Sequence, residues 1–324
     1  MDHLVEIAVV EYPGAMQSAV LGLQDVFAFA GQAGGGAVAV HVLSRFERET
    51  RRFDAIILPP SMGEVRAEDV PELTLFLKRQ HEAGAVVCSA CTGLTFVAAS
   101  GLAGARPVTT HWALQTRLKH AYPGLTLDTD SILIEYGDLI TAGGLMAWID
   151  LALALVERFL GYGVAVQTAR HFIVEFRRRD QRRFRRFMPD LRHGDRAILK
   201  VQHALEKHSA SGVSAGELAA IAGLPARTFL RRFKLATGLS PVHYLQELRM
   251  ERARELLIET EDSVSEICFS VGYNDVPSFS RLFTRLSGLS PGSFRDQYRR
   301  QGSRASEGTS RSGDIDQRHD SARP

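Results

Sequence analysis

Two groups of side chains in this sequence have the types and spacing to do chemistry. The first centres on Cys91 in AGAVVCSACTGLTFVAASG, where a buried apolar run gives way to a helical one across Cys91-Thr92-Gly93. A thiol on such a strand-to-helix turn meets the positive end of the helix, which can lower its pKa and turn it into a nucleophile. The alternative is a small side chain lining a pocket. The second group is arginine-rich and is written twice, as TFLRRFKLATGLSP at 228–241 and SFSRLFTRLSGLSP at 278–291. Arginines presented by a helix in a DNA major groove can pair in bidentate fashion with guanine O6 and N7.

The elements that must position these groups fall into two halves. In the first, short apolar or β-branched runs (VEIAVVEY, AVAVHVLSRF, DAIILPP, AGAVVCSA, a run near LTLD, and ILIEYGDLITAG) alternate with amphipathic helical stretches, the last from about Ala147 to Leu160. That alternation predicts an α/β (flavodoxin-like layered parallel sheet) N-terminal domain, whose sites lie at the carboxyl ends of strands. From Val166 the β signal vanishes, which predicts an all-α C-terminal domain. A chain of 324 residues, 45% of them hydrophobic, can fill a core in each.

The repeat explains itself when the copies are aligned. Phe229, Arg231, Phe233, Gly238 and Leu239-Ser240-Pro241 match Phe279, Arg281, Phe283, Gly288 and Leu289-Ser290-Pro291 at an offset of 50; upstream, Glu217 and Gly223 match Glu266 and Gly272 at 49. Each copy reads as a helix, a turn containing glycine and a second helix whose phenylalanines, four apart, share one buried face. These are two helix-turn-helix units, and the second helix of such a unit enters a major groove. About eighteen helical residues lie between them (PVHYLQELRMERARELLIE), a ruler of roughly 27 Å against the ~34 Å repeat of grooves on one DNA face.

Charge supports a polyanionic partner for the second half only. Residues 1–165 carry 11 Lys/Arg against 18 Asp/Glu, whereas residues 166–324 carry 28 against 19. Between the halves, FRRRDQRRFRR crowds seven arginines together, as a solvated linker or as a nonspecific phosphate contact. Asp2 and Glu6 stand where a secretory signal needs positive charge, and Asp150 and Glu157 interrupt the most apolar helical run; a cytoplasmic protein without membrane contact is expected. Three cysteines without metal-type spacing (Cys88, Cys91, Cys268) predict neither a disulfide framework nor a zinc site, and no cofactor is expected. The tail QGSRASEGTSRSGDIDQRHDSARP is too poor in apolar residues to order itself.

Residues 200–300 resemble the AraC-type DNA-binding domain through R-R-F-x-x-x-x-G-x-S-P and G-Y-x-D-x-x-x-F-x-R-x-F. The resemblance implies that Arg227, Leu230 and Arg231, with neighbouring Thr228, face bases in the first unit, and Val276, Pro277, Ser280 and Arg281 in the second. Arg232, Lys234 and Arg285 are phosphate candidates. Where relatives place a capping Ser, this chain has Pro225; Val276 and Pro277 can touch a thymine methyl but cannot hydrogen-bond a base edge, so the first unit is expected to do most of the sequence reading.

Residues 4–160 resemble the PfpI-like, class I glutamine amidotransferase-like domain of GlxA-type transcription regulators, through EYPGAM, GLQDVF, ACTG, GLAGARPVTTHW and AGGLMAWIDLALALVER. The resemblance implies a domain that dimerises and senses a small, often nitrogen-containing metabolite. Enzymatic relatives carry His after the elbow Cys, an acidic residue six before Asp25 and Gly-Gly near residue 60; this chain has Thr92, Ala19 and Pro59-Pro60, so no catalytic residue is assigned. The expected ligand pocket comprises Tyr12, Cys91, Thr92, Gly93, His111, Trp112 and Trp148, with indole faces able to hold an alkylammonium group unless they are simply core.

The sequence thus predicts a sensing and dimerisation domain over 1–165, an Arg-rich linker over 166–199, a DNA-binding domain over 200–300 and a disordered tail over 301–324. The expected protein is a homodimeric, sequence-specific transcription regulator. Its partners are double-stranded DNA and a small-molecule effector, with RNA polymerase a further candidate. The rival readings are a cysteine-dependent hydrolase or deglycase with a DNA-binding appendage, and a nucleoid-type binder without sequence preference.

Overall fold

A computed structural model of the protein describes residues 4–46, 49–176, 180–207, 209 and 213–298. The chain divides into two compact units, residues 1–189 and 190–324. Arg177, Arg178 and Arg179 of the arginine-rich stretch, and the tail from 301 onward, lie outside the described residues.

The first unit runs β1 (Val5–Val10), α1 (Gln17–Gly34), β2 (Val38–Leu43), β3 (Ala55–Leu58), α2 (Pro71–Glu82), β4 (Val86–Ala90), α3 (Leu94–Ser100), α4 (Gln115–Ala121), β5 (Leu133–Glu135), β6 (Leu139–Ala142), α5 (Trp148–Leu160) and α6 (Tyr162–His171). Its six strands lie in the order β2-β1-β3-β4-β6-β5. All neighbours are parallel except β5, which runs antiparallel to β6 at the edge. Every residue of β3, β4 and β6 is buried, so consecutive side chains on both faces are covered by helices and the strands read as unbroken apolar runs. Helices α1, α5 and α6 pack on one another, and α2 packs on α3. The LTLD run, read as a strand, contributes one isolated bridge, Val108 to Leu127, because its neighbours find no ladder to extend. The chain crosses between the two halves of the sheet at β1 and β3, which places a crevice at their carboxyl ends.

The second unit is all helix: α7 (Arg196–Lys207), α8 (Ala215–Ala222), α9 (Ala226–Thr237), α10 (Pro241–Glu259), α11 (Val264–Ser270), α12 (Val276–Ser287) and α13 (Pro291–Tyr298). Its two helix-turn-helix units are α8/α9 and α11/α12, joined by the unbroken connector α10. The first helix of each opens with a reciprocal capping box, Ser214 with Glu217 and Ser263 with Glu266, which satisfies two orphan N–H groups at once. Gly223 and Gly272 follow those helices, and Gly238 and Gly288 end the reading helices, all four with φ between 64° and 89°. A Cβ there would be strained, so the same backbone turn recurs where the same glycine recurs.

Candidate nucleic-acid interface and ligand site

In both reading helices the phenylalanines turn inward. Phe229, Phe233, Phe279 and Phe283 are fully buried. Phe229 stacks edge-on against Phe233 at 5.5 Å, and Phe233 against Tyr244 of α10 at 5.3 Å. Phe283 meets Phe294 of α13 at 5.4 Å in the same manner. Burying four such rings is worth about 1.5–3 kcal/mol each, and it fixes which face of α9 and α12 is left to solvent.

On the open face of α9 stand Arg227, Leu230, Arg231 and Lys234, all exposed, with Thr228 half-buried. Among the described residues, none pairs with Arg227, Arg231 or Lys234. Arg232 is committed elsewhere: its Nε and Nη2 donate to Asp195 at 2.9 and 2.7 Å, locking α9 to the start of α7. That guanidinium holds the Asp195 carboxyl below its ordinary value. Its expected phosphate role would compete with this bidentate pair.

On α12, Pro277, Arg281 and Arg285 are exposed, and Val276 and Ser280 are half-buried. Arg281 donates through Nη2 to Ser278 Oγ at 2.8 Å. The two reading helices also start differently. Pro225 gives α9 no side-chain cap, whereas Asp275 accepts the Ser278 N–H at 2.9 Å at the start of α12. Two arginines outside the expected set hold the second unit together. Arg254, 5% exposed on α10, donates to Ser287 Oγ, the Leu286 carbonyl and Glu251. Arg249 lies over the Tyr273 ring at 5.5 Å. No sequence signal separates Arg254 from Arg249 and Arg252 on the same helix, since charged residues recur along α10.

In the α/β unit, the residues expected to form a pocket come from the carboxyl ends of adjacent strands. Tyr12 follows β1 and Cys91 follows β4, and between them Ser61, outside the expected set, follows β3. Tyr12, 2% exposed, donates its hydroxyl to the Pro59 carbonyl at 2.5 Å, and burial raises its pKa. Thr92 Oγ1 accepts the Ser61 N–H at 2.6 Å. Gly93 is required by close approach: a Cβ there would sit 2.7 Å from the Leu58 carbonyl oxygen. Cys91 itself has φ of 53°, a conformation that costs a non-glycine residue about 1–3 kcal/mol and concentrates at functional turns. The Thr110 hydroxyl donates to the Cys91 carbonyl at 2.7 Å and helps hold that turn.

The thiol does not have the low pKa its place at the helix start suggested. Burial pushes Cys91 up to about 11, against the opposing pull of backbone hydrogen bonds from Thr92 and His111 and the charge of Arg117. Desolvation outweighs the turn's dipoles because the sulfur is shut away from water. Burial lowers the pKa of His111, and its Nδ1 accepts the Ala113 N–H at 3.1 Å. Among the described residues, no hydrogen bond joins the Cys91 thiol to the His111 imidazole. Ala19, where enzymatic relatives are expected to carry an acid, is fully buried on α1.

The tryptophans part company. Trp112 is half-buried, with its ring 5.0 Å from that of His111. Trp148 is 7% exposed and packs over Gly22 of α1, where a Cβ would lie 2.4 Å from the indole. The structure brings Tyr12, Cys91, Thr92, Gly93, His111 and Trp112 to one end of the sheet and sets Trp148 in the α1/α5 packing. A residue outside the expected set joins them: Gln181, 2% exposed, donates through Nε2 to the Thr110 carbonyl and accepts the Trp112 N–H. Among the described residues, no cluster of His, Cys, Asp or Glu could hold a metal ion, and no helix is long and apolar enough to cross a membrane.

Comparison with known proteins agrees with both halves. A model of the DJ-1/PfpI family matches residues 31–158, and a helix-turn-helix domain model matches residues 218–297. The HTH-type transcriptional regulator CdhR of Pseudomonas aeruginosa is 28% identical over 223 residues, 68% of this chain and 66% of CdhR. The HTH-type transcriptional regulator GlxA of Rhizobium meliloti is 29% identical over 230 residues, 70% of this chain and 69% of that protein. The HTH-type transcriptional activator RhaS of Escherichia fergusonii is 45% identical over 91 residues, 28% of this chain and 33% of RhaS. The chain therefore carries a DJ-1/PfpI-family domain followed by an AraC-type helix-turn-helix domain.

Proposed function

We propose that this protein is a sequence-specific, DNA-binding transcription regulator. The observation that carries the reading is the repeated geometry of α9 and α12: each buries a phenylalanine pair and turns arginines outward from the second helix of a helix-turn-helix unit. Arg227 and Arg231 are the principal base readers, while Lys234 and Arg285 contact phosphates. The α/β half binds a small effector, nitrogen-containing, at the carboxyl-end site around Cys91, Thr92, His111 and Trp112. It also pairs two copies of the chain, and the DNA-bound dimer has RNA polymerase as a further partner.

Selection of genomic DNA fragments by the full-length protein tests the central reading. A shared sequence should emerge, and Arg231→Ala should lose discrimination for it. Equal affinity for every duplex at fixed salt would instead mark a nucleoid-type binder. Titration calorimetry with a panel of amines, quaternary ammonium compounds and amino acids tests the effector, and sedimentation tests the dimer.

A hydrolase or deglycase needs a thiolate near neutral pH, and Cys91 keeps its proton up to about 11. Iodoacetamide labelling of Cys91, followed by mass spectrometry, should therefore speed up about tenfold per pH unit from 8 toward 11. A labelling profile that levels off below pH 8 would restore the enzyme reading.

A further inference from the structure

Among the described residues of the arginine-rich stretch after α6, one is fully buried, and it is not an arginine. Gln181 sits 2% exposed in the α/β unit, although it lies only nine positions before the helical unit begins. Its backbone N–H donates to the Asp130 carbonyl at 2.8 Å, and Asp180 bridges Ser131 next to β5. The side-chain amide does more. Nε2 shares its two hydrogens among the Thr109 hydroxyl at 3.1 Å and the carbonyls of Thr110 and Ser131 at 2.9 and 3.0 Å, while Oε1 accepts the Trp112 backbone N–H at 3.2 Å. The opposite wall is shaped for it: a Cβ on Gly143 would lie 2.0 Å from Nε2. Thr110 in turn donates to the Cys91 carbonyl, so the amide is two hydrogen bonds from the strained elbow.

We propose that Gln181 is a latch, a positioning residue through which the state of the Cys91 site governs DNA binding. Seated, its amide completes the wall formed by Thr109, Thr110 and Trp112 and pins the chain that leads into the helical unit. A ligand that displaces the Thr110–Trp112 segment takes away two of the amide's four partners at once, the Thr110 carbonyl and the Trp112 backbone N–H, since one side chain serves both. Release then frees residues 180–189 and changes the constraint on the DNA-binding unit. The inference rests on the regulator reading above.

The test uses the full-length chain and three variants. Gln181→Ala removes the latch. Gln181→Glu keeps its size but removes the donors that face two carbonyls. Gly143→Ala evicts the amide from the other side. Brief trypsin treatment, read by mass spectrometry, reports cleavage after Arg182 and Arg183. Gel shift on a genomic fragment selected by the parent protein reports DNA affinity at fixed salt. Each variant should be cleaved there at least tenfold faster than the parent, and its DNA affinity should change at least threefold. Gln181→Ala combined with Gly143→Ala should be cleaved no faster than Gly143→Ala alone, because the added Cβ, 2.0 Å from the amide and 2.8 Å from the Thr110 carbonyl, already evicts the latch.

Parent-like cleavage in Gln181→Glu would show that the residue only fills space and would overturn the proposal. Faster cleavage with unchanged DNA affinity would overturn it too. Circular dichroism identifies any variant that fails to fold, and Gly143→Ala then carries the test without touching Gln181. If the parent prefers no fragment over a scrambled duplex, the regulator reading fails, and the proteolysis result still stands on its own.

Discussion

The two helix-turn-helix units share a scaffold and differ at the surface proposed to meet DNA. Both open with a Ser-x-x-Glu capping box, turn at a positive-φ glycine, bury two phenylalanines four apart, and end at a Gly-Leu-Ser-Pro stop. On the outside they diverge. Arg227 and Arg231 of the first are uncommitted among the described residues, whereas Arg281 of the second is tied to Ser278 behind an apolar tip of Val276 and Pro277. The anchoring differs as well: α9 is held by Arg232 to Asp195, and α12 by the buried Arg254 of the connector. Apart from the Arg231/Arg281 pair, the duplicated residues are those that make the fold, and the divergent ones are free to specify what is read.

The largest effect should be the one that treats the units alike. Phe229→Ala and Phe279→Ala each empty a fully buried site and should each cost about 3–5 kcal/mol, measured by urea unfolding of the full chain. A marked inequality would break the symmetry of the two cores. Next comes the effect that should separate the units. Arg231→Ala should cost about 1–3 kcal/mol of discrimination at one base pair, and Arg281→Ala less, in competition binding at fixed salt. An equal loss at both would erase the division of labour.

The smallest effect is acid sensitivity, where each unit has its own carboxylate. Asp195 is held below its ordinary value by Arg232, and Asp275 by Ser278. A carboxylate with a depressed pKa stabilises the fold fully above its unfolded value of about 3.9, and the contribution is lost as pH falls through the lower folded value. Asp195→Asn and Asp275→Asn should each flatten the loss of stability between about pH 4 and 2, seen as a weaker pH dependence of the urea midpoint. Steepening in either variant would contradict the assigned pairs.

Much of this molecule was legible in one dimension. Short apolar or β-branched runs announced strands, and β1, β3, β4 and β6 sit where those runs lie. The 49- and 50-residue offsets announced a duplicated helical unit, and phenylalanines four apart announced its buried face. The capping boxes, Ser214 with Glu217 and Ser263 with Glu266, are also written in the sequence as Ser-x-x-Glu. The site was less legible. Cys91 was placed correctly on the turn after β4, yet its pKa depends on how completely water is excluded, and spacing carries no record of that.

Local chemistry alone settled which segments become strands, helices and turns, because periodicity, glycine at positive φ and capping pairs act within a few residues. It settled too that arginines and phenylalanines lie on opposite faces of the reading helices. Only the folded structure decided which arginines stay available. Arg232 and Arg254 look like their exposed neighbours until Asp195 and Ser287, each more than thirty residues away, come within reach. Gln181 is ordinary in the sequence for the same reason: a primary amide becomes a keystone only when Thr109, Thr110, Trp112 and Ser131 converge around it, and that convergence is made by strands and loops far apart along the chain.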